Sequence, residues 1–282
     1  MLQQSFCHLP RIGLQREIRL WEDGVHTWDD FNDLNAVVKH PSQLRTLQRH
    51  LDKSRQALVD RDAAFFSNAL PASESWRLLP EFVGTIGYLD IETTGSLVDR
   101  GDVITTVAVY DGLQVREYIR GYNLDELVAD LAQFELLVTY NGKCFDLPFI
   151  ESFYGVRIAA PQVDLRFIFQ SLGFKGGLKG VERHLGLDRG DLDGVDGYFA
   201  VLLWRDYEER GNRRALETLV AYNVADTVNL ERLAAIAYNL KVDRTPFAGR
   251  LRMEIPELLV TSTFQPHSPT LDRLRRRYSL WK

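Results

Sequence analysis

The sequence predicts an α/β fold, a mixed sheet with helices on both faces, preceded by a small helical extension. Three observations predict it. Strand signals come three in a row, over residues 83–91, 102–110 and 113–119. From residue 124 onward, helix and strand patterns alternate. Before residue 76 the apolar residues recur at helical spacing. Consecutive strands joined by a tight turn lie antiparallel, and strands separated by a helix lie parallel, so the combination requires a mixed sheet.

The first 75 residues read as the helical extension. Leu9-Pro10-Arg11-Ile12-Gly13 precedes a helical run over 14–21. Ile12-Gly13 before a helix resembles the hairpin of a helix-hairpin-helix element, where backbone N–H groups at a helix start can hold a phosphate. Arg11 stands where that motif has its first glycine, and a cap that packs on the main domain is the alternative. Residues 42–70 show helical spacing (Leu44, Leu47, Leu51, Leu58), with Ser42 as candidate N-cap. Arg45, Arg49, Lys53 and Arg55 line the polar side, as a solvated face or a phosphate-binding row. Residues 71–80, bounded by prolines, read as a connector.

The main domain is expected over 76–240. Its first strand lies in TIGYLDIETTG, residues 85–95. Side chains two apart share a face of a strand, so Asp90 and Glu92 point one way and Leu89 and Ile91 the other. Two adjacent carboxylates stay ionised only beside positive charge, and a hard divalent cation is the usual partner. The second strand is rich in β-branched residues. Asp111-Gly112 is a hairpin signal between it and the third. A helix is expected over 124–133, a fourth strand over 136–140, and a further helix near Asp146. The stretch to residue 240 reads as mostly helical, with Asp164 as a helix cap. The segment 241–282 reads as a tail, with a loop over 262–270 and a basic helix carrying Arg273, Arg275, Arg276 and Arg277.

Two further acids stand out. Asp146 follows a strand and the Asn141-Gly142 turn, and is either an N-cap or a metal ligand. Tyr222 and Asp226 are four apart on a helix, one above the other. Asp226 falls beside an apolar stripe, with no Lys or Arg three or four residues away. An uncompensated carboxylate there is disfavoured, and a metal would compensate it.

D-x-E in a strand ending Thr-Thr-Gly, N-x4-D from Asn141 to Asp146, and Y-x3-D from Tyr222 to Asp226 resemble the three exonuclease motifs of the DEDD, or DnaQ-like, superfamily. The element order is that of RNase H-like folds, which implies a five-stranded mixed sheet. Gly177-Leu178-Lys179-Gly180-Val181-Glu182-Arg183-His184-Leu185-Gly186, then Asp191-Leu192-Asp193-Gly194, and Trp76-Arg77 before the first strand, are similar to the YprB-type RNase H-like family. Leu9-Pro10-Arg11-Ile12-Gly13, Leu20-Trp21 and Thr27-Trp28 resemble that family's N-terminal extension. The resemblance extends to about residue 240.

It implies two-metal phosphodiester hydrolysis of a single strand of DNA or RNA entering 3′ end first. Asp90, Glu92, Asp146 and Asp226 would hold two Mg²⁺ or Mn²⁺ ions, and Tyr222 would hydrogen-bond the attacking water or simply pack. Thr93, Asn141, Lys143 and Lys179 are the candidate substrate contacts, with an ordinary turn or loop as the alternative for Asn141 and the lysines. The alternatives to an exonuclease are a nucleic-acid-binding module without turnover and a structure-selective endonuclease.

Composition agrees with a globular chain of 282 residues, 45% hydrophobic and 26% charged. A net charge of −5 argues against coating nucleic acid by bulk charge, though not against a local basic groove. Cys7 and Cys144 have no metal-ligand spacing and read as reduced thiols of a cytoplasmic protein. No apolar run is long enough for a membrane span, and no signal pattern opens the chain. GFKGGLKG, residues 173–180, carries Lys175 and Lys179, as phosphate contacts or as part of an ordinary loop, and lacks the spacing of a nucleotide-triphosphate loop. No G-x-S-x-G elbow points to covalent catalysis.

Overall fold

The computed structural model describes residues 1–31, 41–187, 190–192, 194–257 and 262–279. Asp193, and the end of the expected basic helix at 280–282, lie outside the described residues.

Five strands form one sheet in the order β3-β2-β1-β4-β5. They are β1 (Ile86–Thr93), β2 (Ile104–Tyr110), β3 (Val115–Ile119), β4 (Leu136–Thr139) and β5 (Gln162–Asp164). β1 is central. It runs antiparallel to β2 and parallel to β4, so the sheet is mixed as the element order requires. β5 extends the parallel half from β4. With three residues it is too short to show alternation, which is why the sequence pattern assigns Val163-Asp164 to the start of a helix instead.

The two faces of the sheet carry separate apolar clusters. Leu89 and Ile91 of β1 join Val107, Val109 and Leu137 on one face, covered by α4 (Leu127–Leu131) and α5 (Asp146–Tyr154). Ile86 and Tyr88 face the other way, against α6 (Leu165–Leu172), α8 (Gly197–Arg210) and α9 (Arg213–Val242). α9 has no Gly or Pro inside its 30 residues, starts at the Asn212 side-chain cap, and spans ~45 Å of the sheet face. α7 (Gly177–His184) lies beside α6.

The N-terminal segment packs into the same cluster as α9. Gly13 is the residue before α1 (Leu14–Glu22), and Phe6, Trp21, Trp28 and Phe31 are buried with Trp76 and Tyr238. The stretch expected as one helix over 42–70 is two. α2 (Pro41–Val59) and α3 (Ala63–Ala69) are separated at Arg61, whose φ is 53°, and Asp62 caps α3 through the Phe65 N–H. Because α2 begins at Pro41, Ser42 lies inside the helix rather than capping it. Arg45, Arg49 and Lys53 are exposed, and Arg55 pairs with Asp29 and Asp52.

The expected connector is instead a 3₁₀ segment, Ala72–Glu81, with Trp76, Arg77, Leu78 and Leu79 buried. Its prolines break an α-helix, but its apolar residues are core. Arg77 forms a bidentate pair with Glu17 (2.7 and 2.7 Å) and also contacts Glu74, which Lys241 meets at 2.7 Å. This closed set of two acids and two bases joins α1, the 3₁₀ segment and the end of α9. α10 (Ser268–Ser279) is the expected tail helix, and its Arg273 pairs with Asp206 of α8. No described helix is long and apolar enough to cross a membrane.

Candidate active site

β1 delivers Asp90 and Glu92 to the α9 side of the sheet, where Ile86 and Tyr88 also point. Between Glu92 and Thr93 the register with β2 shifts, a bulge at the end of the ladder. The turn beyond is internally bonded. Thr93 Oγ1 donates to the Gly95 carbonyl (2.5 Å), and the Asp102 carboxylate accepts the Leu97 N–H (2.9 Å). A Cβ on Gly95 would lie 2.4 Å from the Asp102 oxygens, so a larger residue there would push the Asp102 carboxylate out of the turn. The Thr93 hydroxyl, expected at the substrate, donates to the turn carbonyl.

α9 brings Tyr222, Asn223 and Asp226 to the same place. Oxygens of Asp90, Glu92 and Asp226 all lie within 4.8 Å of one another. Two unit charges at that separation repel by roughly 3 kcal/mol at an effective dielectric constant of about 20. Glu92 and Asp226 are buried and Asp90 is half-buried, so water screens this only in part. Asn223 Nδ2 donates to Asp90 Oδ2 (2.7 Å) and to the Asp90 carbonyl (3.1 Å), holding the carboxylate against α9. Sequence reasoning missed Asn223. The available signal was its place three residues before Asp226, one turn away on the same helix face.

Lys179 of α7 sits on the acidic group. Its Nζ is 2.7 Å from both Asp226 oxygens and 4.4 Å from the centre of the Tyr222 ring. The sequence places no cation within a helical turn of Asp226; the fold supplies one from another helix. Lys179 was expected at the substrate and is found on a proposed ligand. Tyr222 is buried beneath it.

Asp146 reaches the site differently. β1 and β4 pair in parallel only as far as Tyr88 and Val138. Beyond that point Asp146 Oδ1 accepts the Ile91 N–H at 3.2 Å, replacing the missing ladder partner. Phe145, not Asp146, occupies the N-cap of α5, so the capping alternative is corrected. Burial pushes the Asp146 carboxyl up to about 7, while N–H groups of its own backbone and of Ile91 act against that rise. It is fastened to the strand that carries Asp90 and Glu92 but lies outside the group of three that converge.

The turn before Asp146 is organised by Asp164 at the end of β5. Its carboxylate accepts from the N–H groups of Asn141 (2.8 Å), Lys143 (3.1 Å) and Arg166 (3.0 Å), the last as the N-cap of α6. Asn141 has φ of 72°, and its side-chain oxygen accepts from Arg166 Nη1. A Cβ on Gly142 would lie 2.3 Å from Thr139 Oγ1 and from Gln162 Nε2, so the turn closes onto the sheet only with glycine. Lys143 is exposed.

The converging donors are all carboxylate oxygens, hard ligands that suit Mg²⁺ or Mn²⁺ and not a soft metal. Their spacing fits a cation held among them.

No curated protein matches the chain. Among solved structures, the family B DNA polymerase from the hyperthermophilic archaeon Pyrobaculum calidifontis is similar, with a TM-score of 0.43 and 19% identity. The match covers 54% of this chain and 25% of that one, so this chain corresponds to a quarter of the polymerase's length. Residues 87–238, which run from the strand of Asp90 and Glu92 through the helix of Asp226, match the family model of the RNase H superfamily, and the chain belongs to that superfamily.

Proposed function

We propose that this protein is a divalent-metal-dependent 3′–5′ exonuclease that hydrolyses phosphodiester bonds of single-stranded nucleic acid by a two-metal mechanism, within the YprB-type branch of DEDD exonucleases. The observation that carries this reading is the convergence of Asp90, Glu92 and Asp226 within 4.8 Å on an RNase H superfamily fold.

Bound Mg²⁺ or Mn²⁺ would supply an activated water and neutralise the charge that builds on the phosphate. Asp90 would be the shared ligand, with Glu92 and Asp226 completing the water-activating side and Asp146 serving the leaving-group side. Asn223 orients the Asp90 carboxylate. Its two bonds to Asp90 hold that ligand without adding charge. Tyr222, four residues before Asp226, would donate to the attacking water. Lys179 must leave Asp226 for that carboxylate to serve as a ligand, and an ammonium released there is within reach of a substrate phosphate. Asn141 and Lys143, on the turn that precedes Asp146, would contact the strand.

The test is release of nucleotides from a 3′-labelled single strand with Mn²⁺, with and without chelator. Release is expected with the metal only, and Asp90→Ala should abolish it. Full-rate release by that variant would sink the assignment. A circular single strand should resist, because it has no end; cleavage of the circle would make the protein an endonuclease. The Lys179–Asp226 contact favours a second reading, a binding module without turnover, since a carboxylate already paired with an ammonium needs no metal. Failure to bind Mn²⁺ in calorimetry would decide for it.

A further inference from the structure

A cavity of about 730 Å³ opens between the end of β4, α6 and the glycine-rich turn into α7. That volume lies within the ~300–1,000 Å³ of sites that hold small ligands. Arg166 and Lys175 line it, with Asn141, Tyr140 and Phe174, and no Asp or Glu is among the described lining residues. Neither cation forms an ion pair with a described residue. In a chain of net charge −5, two cations facing one cavity without a carboxylate are a local reversal of sign. A second cavity, about 680 Å³ at the start of β1, shows the opposite: Asp111, Glu231 and Glu254 line it, and no Lys or Arg is among its described lining residues.

The lining is held in place. Arg166 donates to the Asn141 side-chain oxygen, which leaves the Asn141 amide N–H groups for a ligand. Phe174 is braced edge-on by Phe169 (5.2 Å) and His184 (4.8 Å). Gly180 lets the turn close: a Cβ there would lie 2.6 Å from the Lys175 carbonyl. α7 links the cavity to the acidic group: Leu178 lines the cavity, and the next residue, Lys179, touches Asp226.

We infer that this cavity binds the nucleotides adjoining the cleaved bond of a single-stranded nucleic acid, with Arg166 and Lys175 on phosphate oxygens and Tyr140 and Phe174 beside the bases. The inference rests on the exonuclease reading for which bond is cleaved, but not for the binding itself. Cations placed without carboxylate partners hold polyanions, and aromatic surface beside them favours unstacked bases over a bare polyphosphate.

The test measures anisotropy of a fluorescein-labelled oligothymidylate with chelator present, over a salt series. Lys175 is exposed, so Lys175→Gln should fold as the parent does. It should weaken binding about fivefold to tenfold and lower the salt slope by about 0.7, one phosphate contact on a single strand. Lys175→Arg should restore both, and Arg166→Gln should weaken binding further. Inorganic polyphosphate should compete poorly. Unchanged affinity and slope in both glutamine variants would overturn the inference, and polyphosphate competing as well as the oligomer would overturn the nucleotide assignment. Bis(p-nitrophenyl) phosphate, with Mn²⁺, separates the two readings, since it carries no nucleotide and needs only the acidic group. If the parent cleaves neither ester nor oligomer while Lys175→Gln still loses binding, the cavity stands and the exonuclease reading falls.

Discussion

Glu17 and Glu74 are buried beneath the N-terminal segment, and Asp90, Glu92 and Asp226 meet at the end of β1. In the first group each acid faces a base: Arg77 bridges both, and Lys241 adds a second cation to Glu74. The Arg77 side chain is 2% exposed and that of Glu17 is 1% exposed, so water contributes almost nothing and the charges must balance within the protein. In the second group the acids face one another. Asn223 and Lys179 brace it, but the carboxylate oxygens still converge on a common space. A balanced buried group is a joint between segments. Acids that converge are costly to the apoprotein, and a bound cation recovers that cost.

The sharpest break between the two comes from removing one member of each. Asp90→Asn should lower turnover at least about a thousandfold, some 4 kcal/mol of barrier, yet leave the unfolding free energy of the metal-free protein unchanged or raised. Nuclease assays and urea unfolding on the same sample check both halves. Arg77→Met should do the reverse to stability, at a cost of about 3–5 kcal/mol, because it leaves Glu17 buried without a cation and Glu74 with Lys241 alone; urea unfolding reads it directly.

Mn²⁺ should distinguish the groups without mutation. At a hundredfold above its dissociation constant it should stabilise the protein by about 2.7 kcal/mol, an effect reversed by chelator and kept in any Arg77 variant that folds. Lys179→Met should raise Mn²⁺ affinity severalfold, roughly 1 kcal/mol for a partly exposed pair, as read by calorimetry. An unchanged affinity would mean that the ammonium does not compete with the metal.

The smallest effect concerns Glu182, a buried acid bonded by an amide. Asn229 Nδ2 donates to it at 3.0 Å, and burial pushes its carboxyl up to about 7. Because the folded protein holds this proton more tightly than the unfolded chain, the group's contribution is greatest below about pH 4.5 and declines as pH rises to about 7. Glu182→Gln should therefore flatten the stability profile of the metal-free protein over that interval, as followed by thermal melts.

Much of this is legible along the chain itself. Alternation along TIGYLDIETTG put Asp90 and Glu92 on one face and Leu89 and Ile91 on the other, and the fold keeps that division. Helical spacing put Tyr222 and Asp226 together. Such signals are local, because the period of an element dictates which of its own side chains share a face. The signal weakened where elements were short or irregular. β5 has three residues, and the Ala72–Glu81 segment hides a buried arginine between prolines.

Periodicity cannot say which element a face will meet. Lys179 lies 47 residues from Asp226, Asn223 lies 133 from Asp90, and Arg77 lies 60 from Glu17, so no local pattern links the members of any pair. The chain alone determined the strand that carries two acids, the helix that carries a third, and the order that sets them in one sheet-and-helix layer. Only the tertiary structure decided that an amide steadies Asp90, that an ammonium rests on Asp226, and that Asp146 closes the open ladder at Ile91. Those choices follow from burial, which penalises an enclosed polar group left without a partner and draws that partner from whatever distance along the chain the packing allows.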